Sequence, residues 1–274
     1  LKMFVQKEVV DEVENPGTQM SLEDAKKLSA KYEVGSIVNL PVDNVEFGRI
    51  AAGNGKQVII QGLREAEHGM IYDEWGSKQH EILTGTVSRI DPRNGNVILR
   101  IGSGSEATEA VLTMNEQVPG EEYTHGKRLR VFVVSVRKEA KGPQVVVSRT
   151  HPNLVKKLFV LEVPEIEQGV VEIKEIAREA GHRTKIAIVS HNADVSAKGA
   201  CIGPMGQRVR SVMRELNDEK IDIIDWSADP AEFVAQALSP AKVSSVTVVD
   251  AAARAARVVV PDYQLSLAIG RAGQ

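Results

Sequence analysis

Two short stretches near the end of the chain constrain it most: Ala200-Cys201-Ile202-Gly203-Pro204-Met205-Gly206-Gln207 and, 67 residues on, Ala268-Ile269-Gly270-Arg271-Ala272-Gly273-Gln274. Both read apolar, Gly-x-x-Gly, Gln. Two glycines three apart let a backbone bend tightly and come close to another backbone, because neither carries a Cβ that would hold the partner away. Arg208 to Leu216 follow the first copy with a helical pattern, so the free N–H groups at the start of that helix face the loop and favour an anion there. That geometry suits a sugar-phosphate chain. A single Gly-x-x-Gly is common and carries little; its recurrence in matching surroundings is the signal.

The surroundings match. Before the first copy lie β-rich runs at Val170 to Ile176 and Lys185 to Ser190, preceded by a helical segment from Asn153 to Leu161. Before the second lie Val243 to Val249 and Arg257 to Val260, preceded by a helical segment from Ala231 to Leu238. The order is helix, strand, strand, helix, Gly-x-x-Gly, helix, strand, and Lys220 to Trp226 is the last strand of the first unit. This resembles the KH domain in its bacterial (type II) order. The resemblance implies that the glycine loop clamps about four nucleotides of single-stranded nucleic acid by their backbone, with bases along an apolar groove beside it.

The chain is 274 residues long, 42% hydrophobic and 26% charged, a composition suited to several ordinary globular domains. No apolar run approaches the roughly 18 residues of a membrane span, and the start shows no signal-peptide pattern, so the expected location is cytoplasmic. Cys201 is the single cysteine, which excludes an internal disulfide framework and a cysteine metal cluster. It reads as a small buried hydrophobe rather than a reactive thiol.

The net charge of −3 hides local basic stretches. Residues 1–80 carry nine basic and thirteen acidic side chains, and residues 81–150 carry ten and eight. Between Gly126 and Arg149 stand Lys127, Arg128, Arg130, Arg137, Lys138, Lys141 and Arg149 against the single carboxylate Glu139. A solvated face and a phosphate-binding face are both open there. From Ala197 to Arg214, Lys198, Arg208, Arg210 and Arg214 occur with no acid at all. Their place beside the glycine loop favours phosphate contact.

The alternating run Met3 to Val13 reads as a strand ended by the turn signal Asn15-Pro16-Gly17. Ser21 with Asp24 three residues on starts a helix carrying Leu22, Ala25 and Leu28 on one face. A short strand at Ser36 to Val42 precedes the longest helical pattern, with Val58, Ile59, Leu63, Ala66, Met70, Ile71 and Trp75 at three- and four-residue spacing. Its other face holds Arg64, Glu65, Glu67, Asp73 and Glu74. An acidic segment repels RNA, so the expected partner of this helix is protein; packing on its own strands is the alternative.

From Glu81 to Thr150 short strands follow closely: Ile82 to Ile90, Val97 to Ile101, Glu109 to Leu112, Arg128 to Val136 and Val145 to Ser148. Pro92-Arg93-Asn94-Gly95, Gly102-Ser103-Gly104 and Lys141-Gly142-Pro143 supply turns. With Thr84-Gly85-Thr86-Val87 in the first strand, the run resembles an S1-type OB-fold barrel. Such barrels stack bases on exposed aromatics. Here the second and third strands offer none, and Tyr123, His125 and Phe132 come later, so weak binding through cations, or a part as spacer, is expected.

A barrel of this kind followed by two KH units, behind an acidic helical segment, resembles the NusA family of bacterial transcription elongation and termination factors. Val147-Ser148-Arg149-Thr150, Leu158-Phe159 with Glu162-Val163-Pro164-Glu165-Ile166, Val171-Glu172-Ile173 and Gly199-Ala200-Cys201-Ile202-Gly203 are similar to that family's linker and first KH domain. Lys56-Gln57-Val58-Ile59 and Arg64-Glu65-Ala66-Glu67 are similar to its N-terminal helix. The resemblance implies a multidomain α+β chain: a truncated α/β N-terminal polymerase-binding domain at 1–80, the barrel at 81–150, a first KH domain at 151–228 and part of a second at 229–274. It implies that the chain begins inside the first of these and stops at the second glycine loop. It also implies a non-enzymatic role in which the N-terminal domain docks on RNA polymerase and the other domains hold nascent single-stranded RNA, modulating pausing, termination and antitermination, with other antitermination factors as further partners. Lys198, Gly203, Pro204, Met205, Gly206, Gln207, Arg208 and Arg210 are the RNA-binding candidates of the first loop. Gly270, Arg271, Ala272, Gly273 and Gln274 are those of the second, and Lys127, Arg128 and Arg130 those of the barrel. Arg64, Glu65, Glu67, Asp73 and Glu74 are the candidates for polymerase. Pro204 and Met205 stand where KH loops often hold a basic residue, which lowers the loop's charge and leaves its backbone geometry.

No Gly-x-Ser-x-Gly, phosphate-binding Gly-x4-Gly-Lys-Ser/Thr or His-Glu-x-x-His occurs, and the six histidines are scattered without ligand spacing. No catalytic residue, metal or cofactor is expected. Two alternatives remain at this level. One is a polymerase-independent RNA-binding adaptor. The other is an accessory region of a phosphorolytic ribonuclease, against which stands the order of the modules, since in those enzymes KH precedes the barrel.

Overall fold

The structure, a computed structural model, describes residues 3–42, 49–104, 107–139 and 142–271. The chain divides into two compact units, Leu1–Ala66 and Glu67–Gln274.

In the first unit, β1 (Met3–Val10) pairs antiparallel with β3 (Ile37–Val42) and parallel with the short β2 (Gln19–Ser21). The turn signal acts through Asn15, whose Oδ1 accepts the Gly17 N–H at 3.0 Å. Ser21 caps α1 (Leu22–Leu28) by accepting the Asp24 N–H at its side-chain oxygen. Val9, Ala25 and Val38 form the small core, with Leu22 beside them, whereas Leu28 is 56% exposed. The one-sided helix face expected at α1 is therefore only partly used. In α2 (Arg49–Ser77) the apolar stripe is used less still, since Val58, Ile59, Leu63 and Met70 are all exposed. Its last turns, within the second unit, are different: Ile71, Tyr72 and Trp75 pack on the barrel core, and Trp75 is 2% exposed.

The second unit begins with a closed barrel of β4 (Ile82–Ile90), β5 (Val97–Ile101), β6 (Thr108–Leu112), β7 (Arg128–Glu139) and β8 (Gly142–Ser148), in the order β4-β5-β6-β8-β7. Only β6 and β8 pair in parallel. Alternation fills it: Val97, Leu99, Ile101, Ala110, Leu112, Val131, Val133 and Val145 are buried. A Cβ at Gly85 would stand 3.2 Å from the Leu99 side chain, which explains a glycine in mid-strand.

Next come α3 (Pro152–Glu162), α4 (Pro164–Glu167), β9 (Val171–Glu179), β10 (Arg183–Ser190), α5 (Ala197–Ile202), α6 (Gln207–Glu215) and β11 (Lys220–Asp225). The sheet runs β11-β10-β9, with β10 antiparallel to β9 and parallel to β11. The helices cover one face around Leu154, Leu158, Phe159, Ile173, Ile186, Ile188, Val212 and Leu216. Cys201 lies within this core at 0% exposure, and burial pushes its thiol up to about 12, so it is an inert core residue.

Then follow α7 (Pro230–Ala237), β12 (Ser245–Asp250), β13 (Ala255–Val259) and α8 (Asp262–Ile269). β12 and β13 form a two-stranded antiparallel ribbon in which no side chain is buried. A two-stranded ribbon is marginal in water, and the contact of α7 with β12 still leaves every side chain of the ribbon at least partly exposed. Its backbone hydrogen bonds therefore open with little else to break, and the Val246 and Val258 amides are expected to exchange at least ~30-fold faster than those of Ile186 and Ile188, about 2 kcal/mol less opening free energy. Equal protection measured by hydrogen exchange would show that the ribbon is held as firmly as the first sheet.

Candidate nucleic-acid interface

The first glycine loop is built from a capped helix. Ser196 Oγ accepts the Gly199 N–H at 3.1 Å and starts α5, which ends at Gly203 with φ 71° and ψ 174°. The Gly203 N–H closes the helix on the Gly199 carbonyl at 2.9 Å. Met205 (φ 53°, ψ 21°) and Gly206 (φ 72°, ψ 19°) are both left-handed and lead straight into α6. The two glycines serve different ends. A Cβ at Gly203 would lie 2.6 Å from Arg208 Cγ, so space as well as conformation demands glycine; at Gly206 the nearest atom would be Arg210 Nη1 at 3.7 Å. Met205 is 90% exposed at the tip.

The second loop is entered in the same way. α8 ends at Gly270 with φ 71° and ψ −172°, and its N–H bonds the Ser266 carbonyl four residues back at 3.1 Å. At the glycine that opens each loop, sequence repetition thus corresponds to a repeated backbone. Arg271 is exposed beside it, while Ala272, Gly273 and Gln274 lie outside the described residues.

The cations expected around the first loop divide by what they touch. Arg210 is exposed and donates from Nη2 to the Met205 carbonyl, so it braces the tip while facing solvent. Lys198 pairs with Asp225 at 2.7 Å at the surface, a contact of little net energy that a phosphate can displace. Pro204 and Gln207 are exposed as well. Arg208 turns inward instead: its Nη1 bonds Glu165 Oε2 and the Ala200 carbonyl, both at 2.8 Å. Its stem is the group that would meet a side chain at Gly203, so it builds the loop from behind.

On the barrel, Arg128 is exposed, Lys127 donates to the Glu122 carbonyl at 2.7 Å, and Arg130 is half-buried. The Arg130 backbone N–H donates to Glu215 Oε1 at 2.9 Å, which joins β7 to the end of α6. Arg149, counted among the basic run, is 1% exposed. Its guanidinium bonds both oxygens of Glu121, the Glu215 carboxylate and carbonyl, and the Arg130 carbonyl. Burial disfavours its charge, but the hydrogen bonds and the charge of Glu121 outweigh this and hold its pKa above the ordinary arginine value. Neither a solvated nor a phosphate face describes this arginine. A similar cluster closes the β9–β10 turn, where Arg178, Thr184 and the Gly181 N–H all donate to the buried Glu219. Burial raises that carboxyl, and the three donors more than offset it, leaving it below the usual range.

Beside the loop lies a shallow, open cavity of about 210 Å³, more apolar than polar, lined by Ile202, Val209, Ile221, Asp222, Ile223 and the Ser239-Pro240 turn. β11 is the edge of its sheet. The cavity therefore borders both the glycine loop, through Ile202 and Val209 in α5 and α6, and the edge strand β11. Ile221 and Ile223 could have been found from strand alternation; nothing in the sequence marks Ser239 and Pro240. Of the polymerase candidates, Arg64, Glu65, Glu67 and Asp73 are exposed along α2, Glu65 accepts a bond from Gln61, and Glu74 pairs with Lys78 at 2.9 Å. Among the described residues, no group of three or more His, Cys, Asp or Glu could hold a metal, and no helix is long and apolar enough to cross a membrane.

Comparison with known families agrees with this arrangement. Residues 1–69 match the NusA N-terminal domain, 149–226 the NusA-like first KH domain and 230–274 the NusA-like second KH domain. The transcription termination/antitermination protein NusA of Mycobacterium tuberculosis is 58% identical over 245 residues, 88% of this chain and 71% of that protein. The protein of the same name from Bacillus subtilis is 48% identical over 274 residues, all of this chain and 72% of that one. A solution structure of the N-terminal domain of NUSA from B. subtilis is 45% identical and covers 23% of this chain and 52% of its own, with a TM-score of 0.16, too low to bear on the fold. By the extent and identity of these matches, the chain belongs to the NusA family of transcription termination/antitermination proteins.

Proposed function

We propose that this chain docks on RNA polymerase through its N-terminal segment and holds single-stranded nascent RNA on its two glycine loops, modulating pausing, termination and antitermination. As a family member it is an RNA-binding transcription termination/antitermination protein and not an enzyme. In this reading it acts in the cytoplasm as four parts, at 1–80, 81–150, 151–228 and 229–274, with other antitermination factors as further partners. The observation that carries the RNA assignment is the repeated glycine backbone at Gly203 and Gly270, the first copy opening beside the shallow cavity. Lys198 and Arg210 supply the phosphate contacts, with Arg271 at the second loop. Lys127, Arg128 and Arg130 of an S1-type barrel add weaker ones. Arg64, Glu65, Glu67, Asp73 and Glu74, on a helix whose apolar stripe is largely exposed, face a basic, partly apolar surface of the polymerase.

Removal of Leu1–Ala66 together with Glu67→Gln, Asp73→Asn and Glu74→Gln, so that all five candidate side chains are lost, tests this division. The cut spares Trp75, which belongs to the barrel core, so the remaining unit keeps its own packing. Retention on immobilised RNA polymerase is expected to fall at least tenfold, while single-stranded RNA affinity stays within about twofold. Undiminished retention would move the docking site to the remaining chain.

A further inference from the structure

Lys185 lies on β10, opposite Asp222 of β11. Its ammonium donates to the carbonyls of Ala237 at 2.7 Å and Ser239 at 2.6 Å, and stands 3.5 Å from the Asp222 carboxylate. Ala237 is the last residue of α7, so its carbonyl is among those a helix leaves without partners, and Ser239 lies just past the helix end. A cation is favoured there by the helix dipole as well. An ammonium has three donors. Two are taken by carbonyls and the third faces a carboxylate, which leaves none for a phosphate.

The position of those acceptors matters more than their number. Ser239 and Pro240 form one wall of the shallow cavity whose other sides are Ile202, Val209, Ile221 and Ile223, and Asp222 lines the same cavity. Beyond them Ala241 is buried, 6% exposed, so the turn is anchored on its far side too. One side chain on β10 thus ties the wall contributed by the second KH segment to the sheet, beside the strand β11 that forms the floor.

We infer that Lys185 is a positioning residue for RNA: by gripping the Ala237 and Ser239 carbonyls it keeps the Ser239-Pro240 wall closed against β11, so that a base meets a formed cavity instead of an open strand edge. The inference rests on the proposed RNA reading of the first glycine loop. Its physical content is preorganisation, since a wall already in place costs the ligand nothing to order.

The test uses the full chain and a single-stranded RNA titrated between 50 and 200 mM salt. Lys185→Met keeps the length and removes the donors. Affinity is expected to fall about tenfold with the salt slope unchanged, the Ala241 amide is expected to exchange faster, and Lys185→Arg, which restores donors, should recover most of the loss. An unchanged affinity overturns the inference. So does a loss accompanied by a slope shallower by about 0.7, the mark of a phosphate contact removed from a single strand. Should Lys185→Met fail to fold, Pro240→Gly removes the wall while leaving the lysine; it should reproduce the tenfold loss, and wild-type affinity in that variant overturns the inference equally. In the foldable double variant the loss should not exceed that of Pro240→Gly alone, because both act on one wall. Gly206→Asp is the reference: if it leaves RNA binding intact the loop reading itself fails, whereas a loss in Gly206→Asp with none in Lys185→Met sinks only the role of Lys185.

Discussion

Gly206→Asp is expected to weaken single-stranded RNA binding on the order of 100-fold while leaving the fold intact. The position is left-handed, which aspartate tolerates better than most residues, and a new Cβ there meets nothing closer than 3.7 Å. What it changes is the field at the tip. A carboxylate about 4 Å from a phosphate costs roughly 1 kcal/mol in water and about 4 kcal/mol near a protein surface, so a loss of around 3 kcal/mol is the expected scale. Gly203 is the poorer site for this experiment. Any side chain there collides with the stem of Arg208, and the disturbance would reach Glu165 and the end of α5. Circular dichroism together with RNA titration decides it: a folded Gly206→Asp variant that binds as tightly as the parent removes the first loop from the RNA path.

The second large effect concerns stability. Arg149→Met should destabilise the Glu67–Gln274 unit by about 3–5 kcal/mol, because Glu121, whose side chain is 2% exposed, is left as a buried charge without its cation. Tyr123 still donates to Glu121 Oε2, but one neutral donor does not replace a bidentate arginine. For a unit of this size each kcal/mol lowers the melting temperature by about 2–4 °C, which predicts a fall of roughly 10 °C. Glu121→Gln in the same chain should recover much of that loss, since the charge to be compensated is gone. A melting temperature within about 2 °C of the parent for Arg149→Met would mean that the cluster is open to water.

These two sites also show where sequence reasoning reached and where it stopped. The first glycine loop was legible because its constraint is local: Gly203 takes a positive φ with an extended ψ that is open almost to glycine alone, and the helices and strands on either side carry their own periodicity. Cys201 was legible for the same reason, as one apolar residue in an apolar helical turn. Arg149 was not. Its partners are 28 and 66 residues away, so within the basic run it looks like Lys127 or Arg137. Arg208 is a parallel case, adjoining the loop in sequence yet committed to Glu165, 43 residues upstream. The stripe on α2 misled in the opposite direction. Helical spacing correctly gave the helix, but spacing cannot say whether a partner exists for each apolar side chain, and only the stretch ending at Trp75 finds one on the barrel.

The cluster around Arg149 imposes an order in time when the chain is made from its N-terminus. The barrel is complete once β8 has emerged, and the very next residue is Arg149, which can at once neutralise Glu121. Glu215 is 66 residues further on, and at 5–20 residues per second it follows roughly 3–13 s later. Through that interval the barrel stands closed with the Arg130 N–H and one edge of the Arg149 guanidinium still awaiting Glu215 at the end of α6. The helix behind the first glycine loop therefore arrives at a finished template, and its register is read from the barrel, not negotiated with it.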